Sequence, residues 1–332
     1  MMKEPWFWRA RTPAARALAF SLTPASMLYN AGRRLKLAAA RPERPAAPVV
    51  CIGNAALGGL GKTPFALMLA PMLRARGFSP AFLTRGYGGR AAGPLLVAPS
   101  VHGARDVGDE PLLLAAAAPT FVARHRPAGA RAAAASGADI VIMDDGFQNH
   151  SIEKAFSILL IDPEQASARV FPAGPLREPL SAALRRADAV VSVVSDAAAP
   201  AFPPMADKPH FRAWLDAPGN GESARVLAFC GIGRPEKFFA SLKRAGFEVV
   251  GEAAFADHHP YSAGDIESLR RRAAEHSATL ITTAKDFVRL QPAQQTGVRV
   301  LSVTLRIDDP AGLTDFIVAA ARRFRDAGRR HV

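Results

Sequence analysis

The run Gly58-Gly59-Leu60-Gly61-Lys62-Thr63 follows a short apolar stretch, Val49–Ile52, and leads into a helical pattern from about Thr63 to Arg76. A strand, a glycine-rich turn, a lysine, a hydroxyl residue and a helix in that order have a specific physical use. Glycines let backbone N–H groups curl around phosphate oxygens, and the helix N-terminus adds the positive end of its dipole. In such a loop Ala56, Leu57, Gly58, Gly59, Leu60 and Gly61 line the phosphates. Lys62 neutralises the β- and γ-phosphates, and Thr63 ligates Mg²⁺ through its hydroxyl. A glycine-rich turn that merely starts a helix is the weaker reading with both flanking elements in place. The loop departs from GxxxxGK[ST] in having Ala56 where the first glycine belongs. Leu57 stands where dimeric partitioning ATPases carry a lysine, which argues against that class. Ala284-Lys285-Asp286 lacks the spacing of a guanine-reading motif, so the expected nucleotide is ATP.

A phosphate-binding loop needs a carboxylate at the end of a neighbouring apolar strand to hold the metal. Ile140-Val141-Ile142-Met143-Asp144-Asp145 supplies two, 82 residues after Lys62. Paired aspartates also cap turns, but beside such a loop the metal reading prevails. Gly146-Phe147-Gln148 extends the motif beyond what a generic ATPase requires.

The rest of the chain alternates in the same style. Strands are predicted at Ala81–Thr84, Ser157–Ile161 and Ala189–Val194, with a helix at Pro111–Ala118. Continuous apolar runs between helices indicate a parallel sheet buried on both faces. Ala197–Pro209, rich in Ala and Pro, reads as a linker. Beyond it, strands are predicted at Val226–Phe229, Glu248–Val250, Thr279–Thr282 and Val298–Val303, and helices near Glu236–Ala245, Ser262–His276 and Ala311–Arg323. The expected fold class is therefore α/β: a P-loop NTPase-like parallel sheet sandwiched by helices, a second smaller α/β domain, and an N-terminal helical segment. The expected boundaries are 1–45, 46–200 and 201–332.

The net charge of +13 favours anionic partners. Residues 1–44 hold nine basic side chains (Lys3, Arg9, Arg11, Arg16, Arg33, Arg34, Lys36, Arg41, Arg44) against Glu4 and Glu43, together with Trp6, Phe7 and Trp8. Basic residues beside indole rings suit a membrane–water interface. The uncharged window Ala17–Gly32 has 16 residues and includes Pro24 and Asn30. A clean span needs about 20 apolar residues, so an interfacial or re-entrant helix is expected. A nucleic-acid module would need basic residues interleaved with stacking aromatics, and with three Tyr and three Trp in the chain it ranks last. Cys51 and Cys230, each in an apolar run with no CxxC pair, read as core thiols of a reducing compartment.

Taken in order, several motifs resemble one family. They are Gly53-Asn54 ahead of GGxGKTP, Arg85-Gly86-Tyr87-Gly88, Val107-Gly108-Asp109-Glu110-Pro111, Asp144-Asp145-Gly146-Phe147-Gln148 and Pro172-Ala173-Gly174-Pro175-Leu176-Arg177-Glu178-Pro179. Gly231-Ile232-Gly233 with Phe238-Phe239, Asp257-His258-His259 and Thr283-Ala284-Lys285-Asp286 continue the match. The series resembles the tetraacyldisaccharide 4'-kinases over nearly the whole chain. Departures are Ala56 and Leu60 in the loop and Asn149 between Gln148 and His150. The resemblance implies transfer of the ATP γ-phosphate, with Mg²⁺, to the 4'-hydroxyl of an anionic tetraacyldisaccharide 1-phosphate, forming lipid IVA. It implies a place on the cytoplasmic face of the inner membrane of a Gram-negative-type bacterium. No protein partner is evident. It also implies Asp109 as base with His258 as its partner, and Arg177 and Glu178 at the nucleotide or metal. Of Asp144 and Asp145, one holds Mg²⁺ and the other is the alternative proton acceptor. The competing reading is a membrane-tethered P-loop ATPase without a small-molecule acceptor.

Overall fold

The computed structural model describes residues 5–8, 12–203, 207–217 and 223–329. Lys3, Glu4, Arg9 and Arg11, counted above toward the basic N-terminus, lie outside them. The strands are β1 (Val49–Asn54), β2 (Pro80–Thr84), β3 (Leu95–Leu96), β4 (Thr120–Val122), β5 (Ile140–Asp144), β6 (Phe156–Ile161), β7 (Ala189–Val194), β8 (His210–Asp216), β9 (Arg225–Cys230), β10 (Glu248–Ala254), β11 (Thr279–Thr283), β12 (Val298–Leu301) and β13 (Thr304–Ile307).

Nine of these form one sheet in the order β13-β8-β7-β6-β1-β5-β2-β4-β3. Its seven inner strands are parallel, and β3 and β13 close the two edges antiparallel. The apolar runs explain why. In β1, Val50 and Ile52 enter the core on one face, and Val49 and Cys51 the core on the other. The same alternation recurs at Ile140/Ile142 against Val141/Met143 and at Ile158/Leu160 against Leu159/Ile161. Such strands are stable only with helices on both sides. The helix Lys62–Arg74 covers one face with Phe65, Leu69 and Leu73, joined by Leu313 and Ile317 of the helix Pro310–Arg329. The helices Arg126–Ala135 and Leu180–Arg186 cover the other with Ala130, Ala133 and Ala183.

The second sheet, β10-β9-β11-β12, is wholly parallel and packs between helices Pro235–Arg244 and Ala263–Glu275. The expected boundary at 200/201 follows the linker, but the sheets divide the chain differently. β8 and β13 belong to the large sheet, with Phe211, Ala213, Leu305 and Ile307 buried in its core. The smaller unit is therefore an insertion between two neighbouring strands.

At the N-terminus, helices Pro13–Ser21 and Thr23–Ala38 lie on the outside of the large unit. Thr12 caps the first through its hydroxyl, and Pro13 occupies its first position. Within Thr23–Ala38 only Ser26 is buried, donating its hydroxyl to the Val170 carbonyl at 2.9 Å. No described helix is long and apolar enough to cross a membrane.

Candidate active site

β1 ends at Asn54, and the chain turns through residues 55–61 into the helix that starts at Lys62. Gly61 makes the turn at φ 74°, a left-handed conformation that glycine adopts without a steric penalty. Gly53 is needed for a different reason. A Cβ there would lie 2.4 Å from the Cβ of Phe147, so only glycine lets the loop and the Asp144-Asp145-Gly146-Phe147 turn close on each other. β5 is the direct neighbour of β1, with Ile52 opposite Asp144. That register sets Asp144 beside the helix start, and the Thr63 hydroxyl donates to its Oδ2 at 3.0 Å.

The other oxygen of Asp144, Oδ1, is buried without a hydrogen-bond partner. Burial, reinforced by the charge of Glu110, pushes its pKa up, against the pull of Lys62. An orphaned buried carboxylate oxygen beside a hydroxyl is a fit for Mg²⁺, which takes one or two carboxylates and completes its shell with phosphate and water. Among the described residues no three His, Cys, Asp or Glu side chains converge to hold a metal without such help.

Asp145 adopts φ 50°, unusual for a residue with a side chain. It faces Lys62 Nζ at 3.6 Å and Arg177 Nη1 at 3.2 Å. Burial opposes its charge, but Lys62 and Arg177 outweigh burial and hold its pKa below the usual carboxylate range. Lys62 also donates to the Asn54 side-chain carbonyl at 3.3 Å. Positions Gly58 and Gly59 have open space around them. The start of the loop is less free: the Leu57 N–H donates to the Pro175 carbonyl at 2.8 Å, and Ala56 pairs with Leu176. Ala56 and Leu57 thus brace the loop against the proline-flanked segment.

Glu178 is fully buried and stands apart from the Asp144 pair. Its carboxylate accepts from Arg33 at 3.1 Å, Arg186 at 2.7 Å and Gln148 at 3.2 Å. Both oxygens are therefore occupied by cations and an amide, and the structure does not bring Glu178 into a metal cluster. Gln148 links it onward, because its carbonyl accepts from Arg177 at 3.2 Å.

The rest of the site joins the two units: Asp109 belongs to the large one, and His258, Lys285 and Arg289, which surround it, to the second. Asp109 starts a short helix, Asp109–Ala115, and is 3% exposed. Its Oδ2 faces His258 Nδ1 at 3.2 Å and accepts from Arg289 Nε at 3.0 Å, with Arg289 Nη2 closer still. Burial acts to raise the Asp109 pKa, but His258, Lys285 and Arg289 together drive it well below the ordinary range. Oδ1 accepts only the Glu110 N–H, at 3.1 Å, among the described residues. Next to it, Lys285 pairs with Glu110 at 2.7 Å. His258, at φ 59°, also rests against the Tyr87 ring. His259 points elsewhere, stacked on Phe255 and bound to Asp265 at 3.1 Å.

Two residues escaped the sequence reading. Arg289 is fixed by Asp286 Oδ1 and the Gly231 carbonyl, each at 2.8 Å, so the Thr283–Asp286 motif exists to aim it at Asp109. Their i, i+3 spacing was the available signal. Arg126 is buried with its Nε unpartnered, and burial with the nearby charge of Arg85 lowers its pKa to about 10. Its neighbours Asp144 and Asp145 draw on the same charge in the opposite sense. Trp8 departs from expectation as well. Its indole donates to the Pro172 carbonyl at 3.0 Å and its ring meets Phe171, so it docks on protein, while Trp6 stays exposed.

A lysine and a threonine offered at a helix start, with an aspartate on the adjoining strand, make this a P-loop nucleotide-binding protein. The family model described as tetraacyldisaccharide-1-P 4'-kinase matches residues 18–322. The tetraacyldisaccharide 4'-kinase of Methylorubrum populi is 47% identical over 97% of this chain and 100% of its own length. That of Methylobacterium sp. (strain 4-46) is 48% identical, covering 97% of this chain and 98% of its own. The crystal structure of the "apo" form of LpxK from Aquifex aeolicus in complex with ATP superposes with a TM-score of 0.77 at 28% identity, covering 91% of this chain and 99% of that one. The chain belongs to the tetraacyldisaccharide-1-P 4'-kinase family.

Proposed function

We propose that this chain transfers the γ-phosphate of ATP to the 4'-hydroxyl of a tetraacyldisaccharide 1-phosphate, the reaction of lipid A biosynthesis that forms lipid IVA. The observation that carries the reading is the family match over residues 18–322 combined with Asp109 held by Arg289 of the second unit. Mg²⁺, when bound by Thr63 and Asp144, neutralises charge on the transferring phosphoryl group. Lys62 neutralises the same oxygens from the protein side, and Arg177 keeps Asp145 oriented beside it. Asp109 receives the hydroxyl proton at Oδ1, the oxygen not engaged by cations. Arg289 and His258 keep that carboxylate ionised and fixed, which guarantees a lone pair for the incoming hydroxyl.

The acceptor is a lipid, and the N-terminal helices offer a surface for it. Phe20, Met27, Leu28 and Leu35 are 69–76% exposed, and Arg34, Lys36 and Arg41 accompany them. Apolar side chains among basic ones bind an anionic interface. This supports work on the cytoplasmic face of the inner membrane, where ATP and the lipid meet.

The test is to incubate the purified chain with γ-labelled ATP and the acceptor in neutral detergent micelles. Labelled lipid is expected. ATP hydrolysis without labelled lipid would favour the tethered ATPase reading. Asp109→Asn keeps size and an oxygen that can accept the Glu110 N–H, and should lower transfer by about 10²–10⁴ with ATP affinity unchanged. Most of the turnover surviving would move the base role to Asp145.

A further inference from the structure

The turn that follows Asp144 is strained. Asp145 holds φ 50°, a conformation that persists in a residue with a side chain only where the surroundings over-determine it. Gly146 comes next and has no room for a side chain, since a Cβ there would lie 2.4 Å from Met143 Cε. Backbone bonds tie the turn lightly. The Gly146 N–H donates to the Ile52 carbonyl at 3.2 Å, and the Asn149 N–H to the Gly146 carbonyl at 2.9 Å. The remaining tie is a side chain, Lys154. Its Nζ donates to the Gly146 carbonyl at 2.9 Å and to the Phe147 carbonyl at 3.0 Å. Nothing else among the described residues donates to the Phe147 carbonyl. Lys154 is itself fixed from both sides just ahead of β6. The Glu153 N–H donates to the Glu43 carbonyl at 2.9 Å, and the Ala155 N–H to the Val49 carbonyl at 2.8 Å. Its ammonium lies 5.6 Å from the centre of the buried Phe147 ring, which Arg186 also meets at 5.1 Å. Half-buried, Lys154 makes no ion pair with another described residue, so its charge is spent on the turn.

We propose that Lys154 is a positioning residue for phosphoryl transfer, acting through the turn Asp145-Gly146-Phe147; the inference rests on the kinase reading above. Lys154 makes no hydrogen bond or ion pair with Lys62, Thr63, Asp144 or Asp145, so its influence on them passes through the backbone. Holding the two carbonyls keeps Asp145 in the left-handed conformation from which its carboxylate faces Lys62 Nζ at 3.6 Å and Arg177 Nη1 at 3.2 Å. It also sets the course of Gln148, the next residue, whose amide donates to the Asn54 carbonyl at 2.8 Å. Asn54 in turn accepts from Lys62 through its side chain. Both contacts that aim the P-loop lysine therefore depend on where this turn sits. An ammonium suits the task, because a compact charge with three rotatable donors reaches two carbonyls of one turn at once. A misplacement of about 1 Å at a transferring group costs about 10²-fold in rate, and an untied strained turn is free to move by that much.

The experiment uses the full chain with γ-labelled ATP and the acceptor in neutral detergent micelles. Lys154→Met keeps the apolar stem and removes the donors. It should lower kcat by roughly 10- to 100-fold with KM for ATP unmoved, the signature of a contact realised in the transition state. Lys154→Arg, whose guanidinium can donate to both carbonyls, should restore most of kcat, and Lys154→Gln should fall between. Thermal unfolding of each variant sets an assay temperature at which all are folded. If Lys154→Met does not fold, the comparison of Lys154→Gln with Lys154→Arg carries the same test. Wild-type kcat in folded Lys154→Met, or in folded Lys154→Gln where that variant carries the test, overturns the proposal. A raised KM for ATP with kcat unchanged also overturns it, because the turn would then serve nucleotide binding alone. So does a Lys154→Arg protein no faster than the variant without the charge, which would reduce Lys154 to packing. A wild type that labels no lipid refutes the kinase reading itself, whereas an active wild type with any of these outcomes refutes only the role of Lys154.

Discussion

Arg289→Met tests how the second unit controls the first. Arg289 and Asp109 are 6% and 3% exposed, and Nε lies 3.0 Å from the carboxylate. At that distance and an effective dielectric of about 20 the attraction is about 5 kcal/mol. Part of this offsets the desolvation of both groups. Removing one partner of a buried pair leaves the other charge uncompensated, at about 3–5 kcal/mol. His258 and Lys285 remain close to Asp109, so the lower end applies, about 3 kcal/mol. The measurement is a double-mutant cycle with Asp109→Asn by urea unfolding, which separates this pair from the contacts Arg289 makes with Asp286 and Gly231. The pH dependence has a definite sign. Asp109 has a folded pKa below its unfolded value, so its stabilisation is present above the unfolded carboxylate pKa and disappears as pH falls through the folded one. The gap between wild type and Arg289→Met should therefore be largest near neutrality and narrow in acid. The acidic limb of the pH–rate profile should move upward in the variant. A coupling energy under about 1 kcal/mol, the level of an exposed pair, would refute the claim that Arg289 fixes the carboxylate.

Three further outcomes are expected. Lys62→Ala should fold normally and lose transfer by about 10² or more, since it removes a cation from the transition state; near-normal turnover would overturn the loop assignment. Gly53→Ala should cost about 1–3 kcal/mol through overpacking against Phe147, and thermal unfolding alongside activity would show whether the Thr63–Asp144 contact is lost with it. Replacing Met27, Leu28 and Leu35 together by glutamine should reduce flotation with anionic vesicles while leaving nucleotide binding intact, and unchanged flotation would place the docking surface elsewhere.

Much of the architecture was legible because its signals are local. A strand buried on both faces reads as an apolar run, and β1, β2, β5, β6 and β7 all do. Lys62, Thr63 and Asp144 follow from one loop and the strand beside it. Edge elements were harder. β8 alternates buried and open positions, and β13 has only Leu305 and Ile307 to mark it, so neither advertised that it belongs to the first sheet. The same applies to long-range polar pairs. Nothing near Glu178 in sequence indicates Arg33, 145 residues away, and this is why its ion pair with that arginine could not be foreseen. Asp109 was named from the family motif, but its environment comes from side chains about 180 residues downstream.

The pairing of β8 with β13 has a further consequence. Asp216 lies opposite Thr304, so the chain leaves the large sheet and returns to it at adjacent points. The strand that must come back does so from almost any distance at nearly the same entropic penalty, which grows only with the logarithm of the intervening length. The smaller unit is in this sense a removable module on a hairpin. Joining Asp216 to Thr304 with a two-residue turn should leave a protein that folds around β1 and still has Lys62, Thr63 and Asp144. It would lack His258 and Arg289. Such a miniature would separate holding a nucleotide from using one, dividing between two physical objects what the intact chain combines.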